Sequence, residues 1–204
     1  MKRIIEGFIA LLAALLVAGC GTQPVGTGWI TLIDGDKGLE NFNRTGDANW
    51  RAEGGAIVAD KGKGGLLVSK QPYTNFMIYA EFYAETSTNS GIFIRAADPN
   101  KIGSSAGYEV NIWDSRADPS YGTGAIVNFA SVPVPIVYKA GGRWNTLEVT
   151  ARGPEMSVVL NGVEVSRGSD AKFAQGPFAL QFGNGPKGAS GGAIKWRRVE
   201  VLPL

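Results

Sequence analysis

Asn89-Ser90-Gly91-Ile92-Phe93-Ile94-Arg95 and Gly107-Tyr108-Glu109-Val110-Asn111-Ile112-Trp113-Asp114 are the two stretches on which the fold turns. Both have the composition of β-strands, and side chains on a strand alternate between its faces. Phe93 and Arg95 are therefore expected on one side of the first stretch, and Glu109, Asn111 and Trp113 on one side of the second. Ile92, Ile94, Val110 and Ile112 fall on the opposite sides and face a core. The outward face is then charged and aromatic, unlike the Thr, Ser and Lys of an idle solvent face. Two readings fit it: a binding surface, or a structural ion pair of Arg95 with Glu109 on a solvated sheet, since surface pairs are common and individually weak.

The same pattern extends outward. From Gly28 on, short apolar or alternating runs are separated by Gly, Asn, Asp and Pro, with 29 glycines in the chain and no stripe of period 3.6. Strands are expected near 29–33, 56–59, 65–69, 76–84, 91–96, 107–113, 124–129, 144–152, 155–161, 163–166, 177–183 and 193–202. Asn161-Gly162 between two β-rich arms predicts a type I′ hairpin. About a dozen strands need a second sheet to cover their apolar face, so the expectation is an all-β sandwich of two antiparallel sheets over 29–204. Ala130 to Pro135 reads as a long loop because its prolines lack donors. Asp98 to Ser105, Ser115 to Thr123 and Gly183 to Gly192 read as loops rimming one face.

The first 19 residues have the form of a signal peptide: Lys2 and Arg3, an uncharged run from Phe8 to Ala18, then Val17-Ala18-Gly19-Cys20. Cys20, the one cysteine of the chain, stands where the lipobox of bacterial lipoproteins places its lipidated residue. The alternative is an ordinary signal with an incidental cysteine. Residues 20–28 then form a lipidated tether, and export fits a domain without further thiols. Gly21, rather than Asp, after the cysteine points to the periplasmic face of the outer membrane, with membrane contact through the anchor alone.

Without residues 1–19 the chain keeps 185 residues, 18 basic and 17 acidic. That balance gives no basic patch for nucleic acid. The absence of histidine excludes Ser-His-Asp triads, histidine zinc sites and imidazole acid–base chemistry.

Taken in order, Gly28-Trp29-Ile30-Thr31-Leu32-Ile33-Asp34-Gly35, Leu66-Leu67-Val68-Ser69-Lys70, Asn75-Phe76, Glu81-Phe82, the two stretches above, Trp144-Asn145-Thr146, Leu160-Asn161-Gly162 and Gly176-Pro177-Phe178-Ala179-Leu180-Gln181 resemble the 3-keto-disaccharide hydrolase family. The resemblance implies a concanavalin A-like jelly roll and a carbohydrate partner whose sugar is oxidised to a ketone at C3. It departs from the family at two places. Leu180-Gln181 is followed by Phe182-Gly183-Asn184-Gly185 where many members carry an acidic residue and a histidine, and Asn111 stands where Gln is usual.

A ketone at C3 acidifies the C2 hydrogen, so a carboxylate can remove it and the enolate can expel the C1 substituent. Under the resemblance Glu109 is the expected base, Arg95 the group on the enolate oxygen, and Glu81 a second carboxylate or simply the partner of Arg95. Asn89, Asn111 and Gln181 suit sugar hydroxyls, and Trp113 either stacks on a pyranose face or fills space at the rim. Asp114 caps the following turn, Trp144 packs in the core and Asn145 makes a structural hydrogen bond. No cofactor is expected. The alternative is a divalent metal such as calcium, which related lectin-like sandwiches hold and which could replace Arg95 on the enolate, although the chain has no spaced Asp cluster of the EF-hand kind. Two alternatives use the same scaffold: a carbohydrate-binding module without turnover, favoured by the missing histidine, and a structural envelope protein with no pocket.

Overall fold

Along Phe76–Ala84, Phe76, Ile78, Ala80, Phe82 and Ala84 are buried while Met77, Tyr79, Glu81 and Tyr83 are half-buried, the period-2 pattern of a strand with one core face. The computed structural model describes residues 28–185 and 191–204, and the signal segment, Cys20 and nearly all of the tether lie outside the described residues. Among the described residues the strands are β1 (Ile30–Asp34), β2 (Phe42–Gly46), β3 (Arg51–Ala52), β4 (Ile57–Ala59), β5 (Gly65–Ser69), β6 (Phe76–Ala84), β7 (Ser90–Ile94), β8 (Tyr108–Ile112), β9 (Arg143–Arg152), β10 (Glu155–Leu160), β11 (Val163–Ser169), β12 (Ala179–Phe182) and β13 (Ile194–Pro203). They form an eight-stranded sheet in the order β11-β10-β9-β6-β13-β4-β3, with β1 on β13, and a five-stranded sheet in the order β2-β5-β12-β7-β8. Every pairing is antiparallel, which makes the protein an all-β jelly-roll sandwich.

The core lies between the sheets. Ile78, Phe82, Leu147, Trp196 and Val199 from the larger sheet meet Leu67, Ile92, Val110, Leu180 and Phe182 from the smaller one. Phe82 and Trp196 pack at 5.6 Å, and Phe178 meets Phe42 edge-on at 6.1 Å, placements that gain beyond simple area burial. Asn161 (φ 51°) and Gly162 (φ 80°) both take the left-handed conformation that a type I′ turn requires.

Two expectations about strands need correction. The two-residue β3, Arg51–Ala52, was not expected, nor was β2, Phe42-Asn43-Arg44-Thr45-Gly46, where only Phe42 is apolar. It is an edge strand held by its pairing to β5. The stretch 124–129 does not form a full strand. It lies along β8, with Asn111 N–H donating to the Ala125 carbonyl at 2.9 Å and Val127 N–H to the Glu109 carbonyl at 2.9 Å, then curls back at Asn128 (φ 68°). The free edge of β8 is thereby covered.

Candidate functional site on the outer face of the smaller sheet

Antiparallel register sets the site. Leu66 of β5, Gln181 of β12, Gly91 of β7 and Asn111 of β8 form one cross-strand row, and Val68, Ala179, Phe93 and Glu109 form the next. Their neighbours Leu67, Leu180, Ile92 and Val110 belong to the core, so both rows face away from it. This outer face is not the solvated sheet of the ion-pair reading. Ile102, on the loop between β7 and β8, packs with Leu66 on Val68, Phe93 and Ala179, and Phe93, Glu109 and Asn111 are only 4%, 9% and 0% exposed.

Gly91 leaves a gap between Gln181 and Asn111, two strand spacings or about 10 Å apart. A Cβ at Gly91 would lie 2.7 Å from the Val110 carbonyl and 3.4 Å from Gln181 Oε1, so the amide of Gln181 leans over the bare backbone. Asn111 Nδ2 donates to the Tyr121 carbonyl at 2.6 Å, which leaves Oδ1 as the amide's acceptor. Asn111 Oδ1 and Gln181 Oε1 are both buried and neither receives a hydrogen bond. An unsatisfied buried acceptor costs about 1–3 kcal/mol, so two of them in one row are expensive unless donors arrive from outside the chain.

Beside them, the Glu109 carboxylate makes no hydrogen bond among the described residues. Burial pushes its pKa above the usual carboxylate range, and Arg116 partly opposes the shift. Raising a carboxylate toward neutrality is the tuning a general base needs. Arg116, on the loop after β8, was not expected from sequence. Its guanidinium lies 5.7 Å from the Trp113 ring centre, and the only sequence signal for it was its place in the rim loop 115–123.

The structure does not bring Arg95 or Glu81 to this site. Arg95 follows the end of β7 with φ 51°, which breaks the alternation and turns its side chain away from Phe93. Its buried guanidinium donates to the carbonyls of Thr74 (2.6 and 3.0 Å), Gly153 (2.7 Å) and Phe173 (3.4 Å), so it ties three loops together, and burial lowers its pKa. It forms no ion pair with Glu109. Glu81 sits on β6 in the other sheet, facing outward, and accepts from Arg197 Nε and from Tyr79 Oη. Burial pushes its pKa up, but these hydrogen bonds and Arg197's charge hold it below the usual range.

Asn89 lies at the margin, where its Nδ2 donates to the Asn184 carbonyl at 2.5 Å and its own carbonyl accepts from Gly183 N–H at 2.9 Å. It therefore holds the turn after β12 rather than presenting a free amide. Trp113 Nε1 donates to Ser115 Oγ at 3.1 Å, and Arg116 stands over its ring, which makes the indole a support for the guanidinium. Asp114 accepts from Thr123 Oγ1 and from the backbone N–H groups of Ala140 and Gly141, and so pins two loops. Asn145 makes the expected structural bonds, donating to the Ala140 carbonyl and accepting from Asn161. Trp144 is not in the core. It is 38% exposed on the outer face of the larger sheet.

Among the described residues no three metal-ligating side chains converge. Calcium takes about six to eight oxygens, whereas the two rows offer one carboxylate and two amide oxygens. These residues do not fit a calcium site.

No curated protein matches the chain. Among solved structures, a candidate glycosyl hydrolase from Parabacteroides distasonis is 23% identical with a TM-score of 0.68, over 87% of this chain and 100% of that one. The carbohydrate-binding module CBM66 from Bacillus subtilis is 17% identical with a TM-score of 0.54, over 85% and 93%. A Bacillus subtilis protein with a galectin-like fold reaches 0.62 at 8% identity, over 84% and 93%. Likenesses this distant establish the sandwich alone. The family model for 3-keto-alpha-glucoside-1,2-lyase-like domains, by contrast, matches residues 28–202, and the chain belongs to that family.

Proposed function

We propose that the protein cleaves 3-keto-glucosides by elimination, with Glu109 as the base. One observation carries this reading: a buried carboxylate without a hydrogen-bond partner stands beside two buried amide oxygens that have no donor. Sugar hydroxyls are donors of the right kind for Asn111 Oδ1 and Gln181 Oε1. A glycoside held there would turn one ring face toward Glu109. The Glu109 carboxylate takes the C2 proton, the C–H electron pair forms a C2–C3 double bond, and the carbonyl π pair moves onto the C3 oxygen. The enolate then re-forms its carbonyl as the C1–O bond breaks. The leaving alkoxide takes a proton from the Glu109 carboxyl or from water, leaving a 1,2-unsaturated 3-ketone. Addition of water across that double bond completes net hydrolysis. No imidazole is needed, in keeping with a chain that has no histidine.

In the same reading the domain works in the bacterial envelope on the periplasmic face of the outer membrane, held by a lipid on Cys20. The sequence Val17-Ala18-Gly19-Cys20 supports this. Mass spectrometry of the mature N-terminus is expected to find diacylglyceryl-modified Cys20, and Cys20→Ser to release soluble protein.

The test of the reaction is incubation of the purified domain with a 3-keto-α-glucoside and with the unoxidised glucoside. Release of the C1 group from the first alone, lost in Glu109→Gln, is the expected result. Saturable binding of both sugars without any product would identify a carbohydrate-binding module instead.

A further inference from the structure

Resting on that elimination reading, the geometry points to Arg116 as the cation that receives the developing enolate, the role that sequence had given to Arg95. The elimination puts a full negative charge on the C3 oxygen, and a site that stabilises it needs a donor-rich cation beside the base. Arg95 cannot serve, because its guanidinium is committed to the carbonyls of Thr74, Gly153 and Phe173. Arg116 stands on the loop that Asn111 bonds through the Tyr121 carbonyl, and its charge opposes the burial shift of Glu109. It makes no hydrogen bond or ion pair among the described residues, so its fork of donors is unspent.

Its loop is fixed at both ends of the site. Asn111 Nδ2 donates to the Tyr121 carbonyl at 2.6 Å, Thr123 Oγ1 to Asp114 Oδ1 at 2.6 Å, and Asp118 Oδ1 accepts from Ser120 N–H at 3.1 Å and caps the turn Pro119–Tyr121. Trp113, bonded through Nε1 to Ser115, offers its ring to the guanidinium 5.7 Å away. The indole thus holds the cation on the rim loop that is bonded to Asn111, and its charge lowers the cost of the Glu109 charge that burial raises.

Arg116→Met is expected to lower kcat on a 3-keto-α-glucoside about 100-fold with a smaller change in KM, Arg116→Lys to lose about tenfold, and methylguanidinium to restore Arg116→Ala but not Glu109→Gln. A carboxyl-carbon NMR titration is expected to move the Glu109 midpoint upward in Arg116→Met and leave it near the parent value in Arg116→Lys, a readout that a merely structural role would not move. A parent that turns over while Arg116→Met matches it in kcat, or a Glu109 titration indifferent to Arg116→Met, overturns the assignment and leaves the elimination reading standing. A parent that releases nothing from the 3-keto-α-glucoside overturns the elimination reading and the assignment together.

Discussion

The two sheets carry similar residue types on their outer faces and treat them in opposite ways. On the larger sheet Glu81 is bonded to Arg197 and Tyr79, Arg198 to Glu200, and the guanidinium of Arg197 lies 4.4 Å from the centre of the Trp144 ring. On the smaller sheet Glu109, Asn111 Oδ1 and Gln181 Oε1 have no hydrogen-bond partner among the described residues, and Arg116 has only the Trp113 ring, 5.7 Å away. Carboxylates, guanidinium groups and tryptophans mark both faces, so residue type does not separate a site from a structural face. Pairing does. Where the protein satisfies its polar groups internally it gains modestly from each contact, and where it leaves them buried and unmet it accepts a cost that a ligand can remove.

The largest effect should come from exchanging the two carboxylates for amides. Glu109→Gln is expected to cut kcat on a 3-keto-α-glucoside by about 10²–10⁴, the usual worth of a positioned base, while Glu81→Gln stays within about twofold of the parent. Steady-state assays of the two variants check this. Equal losses in both would erase the distinction between the faces.

Next in size is Arg95. Replacing it by Met strands the carbonyls of Thr74, Gly153 and Phe173 without their donor, and the expected loss of stability is about 3 kcal/mol in urea unfolding. The folded fraction should keep the parent's kcat, because the side chain points away from the Glu109 row. A stable but inactive Arg95→Met would place it back in the site.

The strand pattern was legible because alternation survives wherever one face is core: Phe76 to Ala84, the Asn161-Gly162 hairpin and the apolar side of β7 and β8 all follow it. Alternation along β8 also put Glu109 and Asn111 on one face, and antiparallel register brings Gln181, singled out under the family resemblance, into the row of Asn111. Arg95 escaped this logic because alternation ends with the strand, and one residue at φ 51° is enough to redirect a side chain. Glu81 was beyond reach for a different reason. Local sequence tells which side of a strand a residue occupies, but not which of two sheets the strand joins, and β6 joins the sheet on the far side of the core. Arg116 was illegible because a loop has no period to read.

Gly91 sharpens the comparison within the smaller sheet. Alanine there would put a Cβ 2.7 Å from the Val110 carbonyl, so β8 must give way, and would fill the gap against Gln181 Oε1 at 3.4 Å, an ordinary contact distance. The expected outcome is a rise in KM of about tenfold, with a stability loss of about 1–2 kcal/mol in urea unfolding, the range of a small overpacking change. An unchanged KM would mean that the gap over Gly91 is not where the sugar lies.

The smallest effect tests the idea of unmet groups without any substrate. Burial raises the Glu109 pKa in the folded chain above its unfolded value. Between those two values the folded state binds more protons than the unfolded one, so the stability of the parent falls as pH rises through that window. Below it the carboxyl is protonated in both states and costs nothing through ionisation. Glu109→Gln removes the charge while keeping the shape, and should therefore be more stable than the parent at pH 7 by roughly 1 kcal/mol, a Tm rise of about 2–4 °C. The advantage should shrink at pH 4, where the parent carboxyl is protonated. Glu81→Gln should show the reverse sign, losing stability at pH 7, because the folded state holds the Glu81 pKa below its ordinary value and favours its charge. A less stable Glu109→Gln at neutral pH would show that the carboxylate is met by the folded chain after all, and the contrast between the two faces would lose its physical basis.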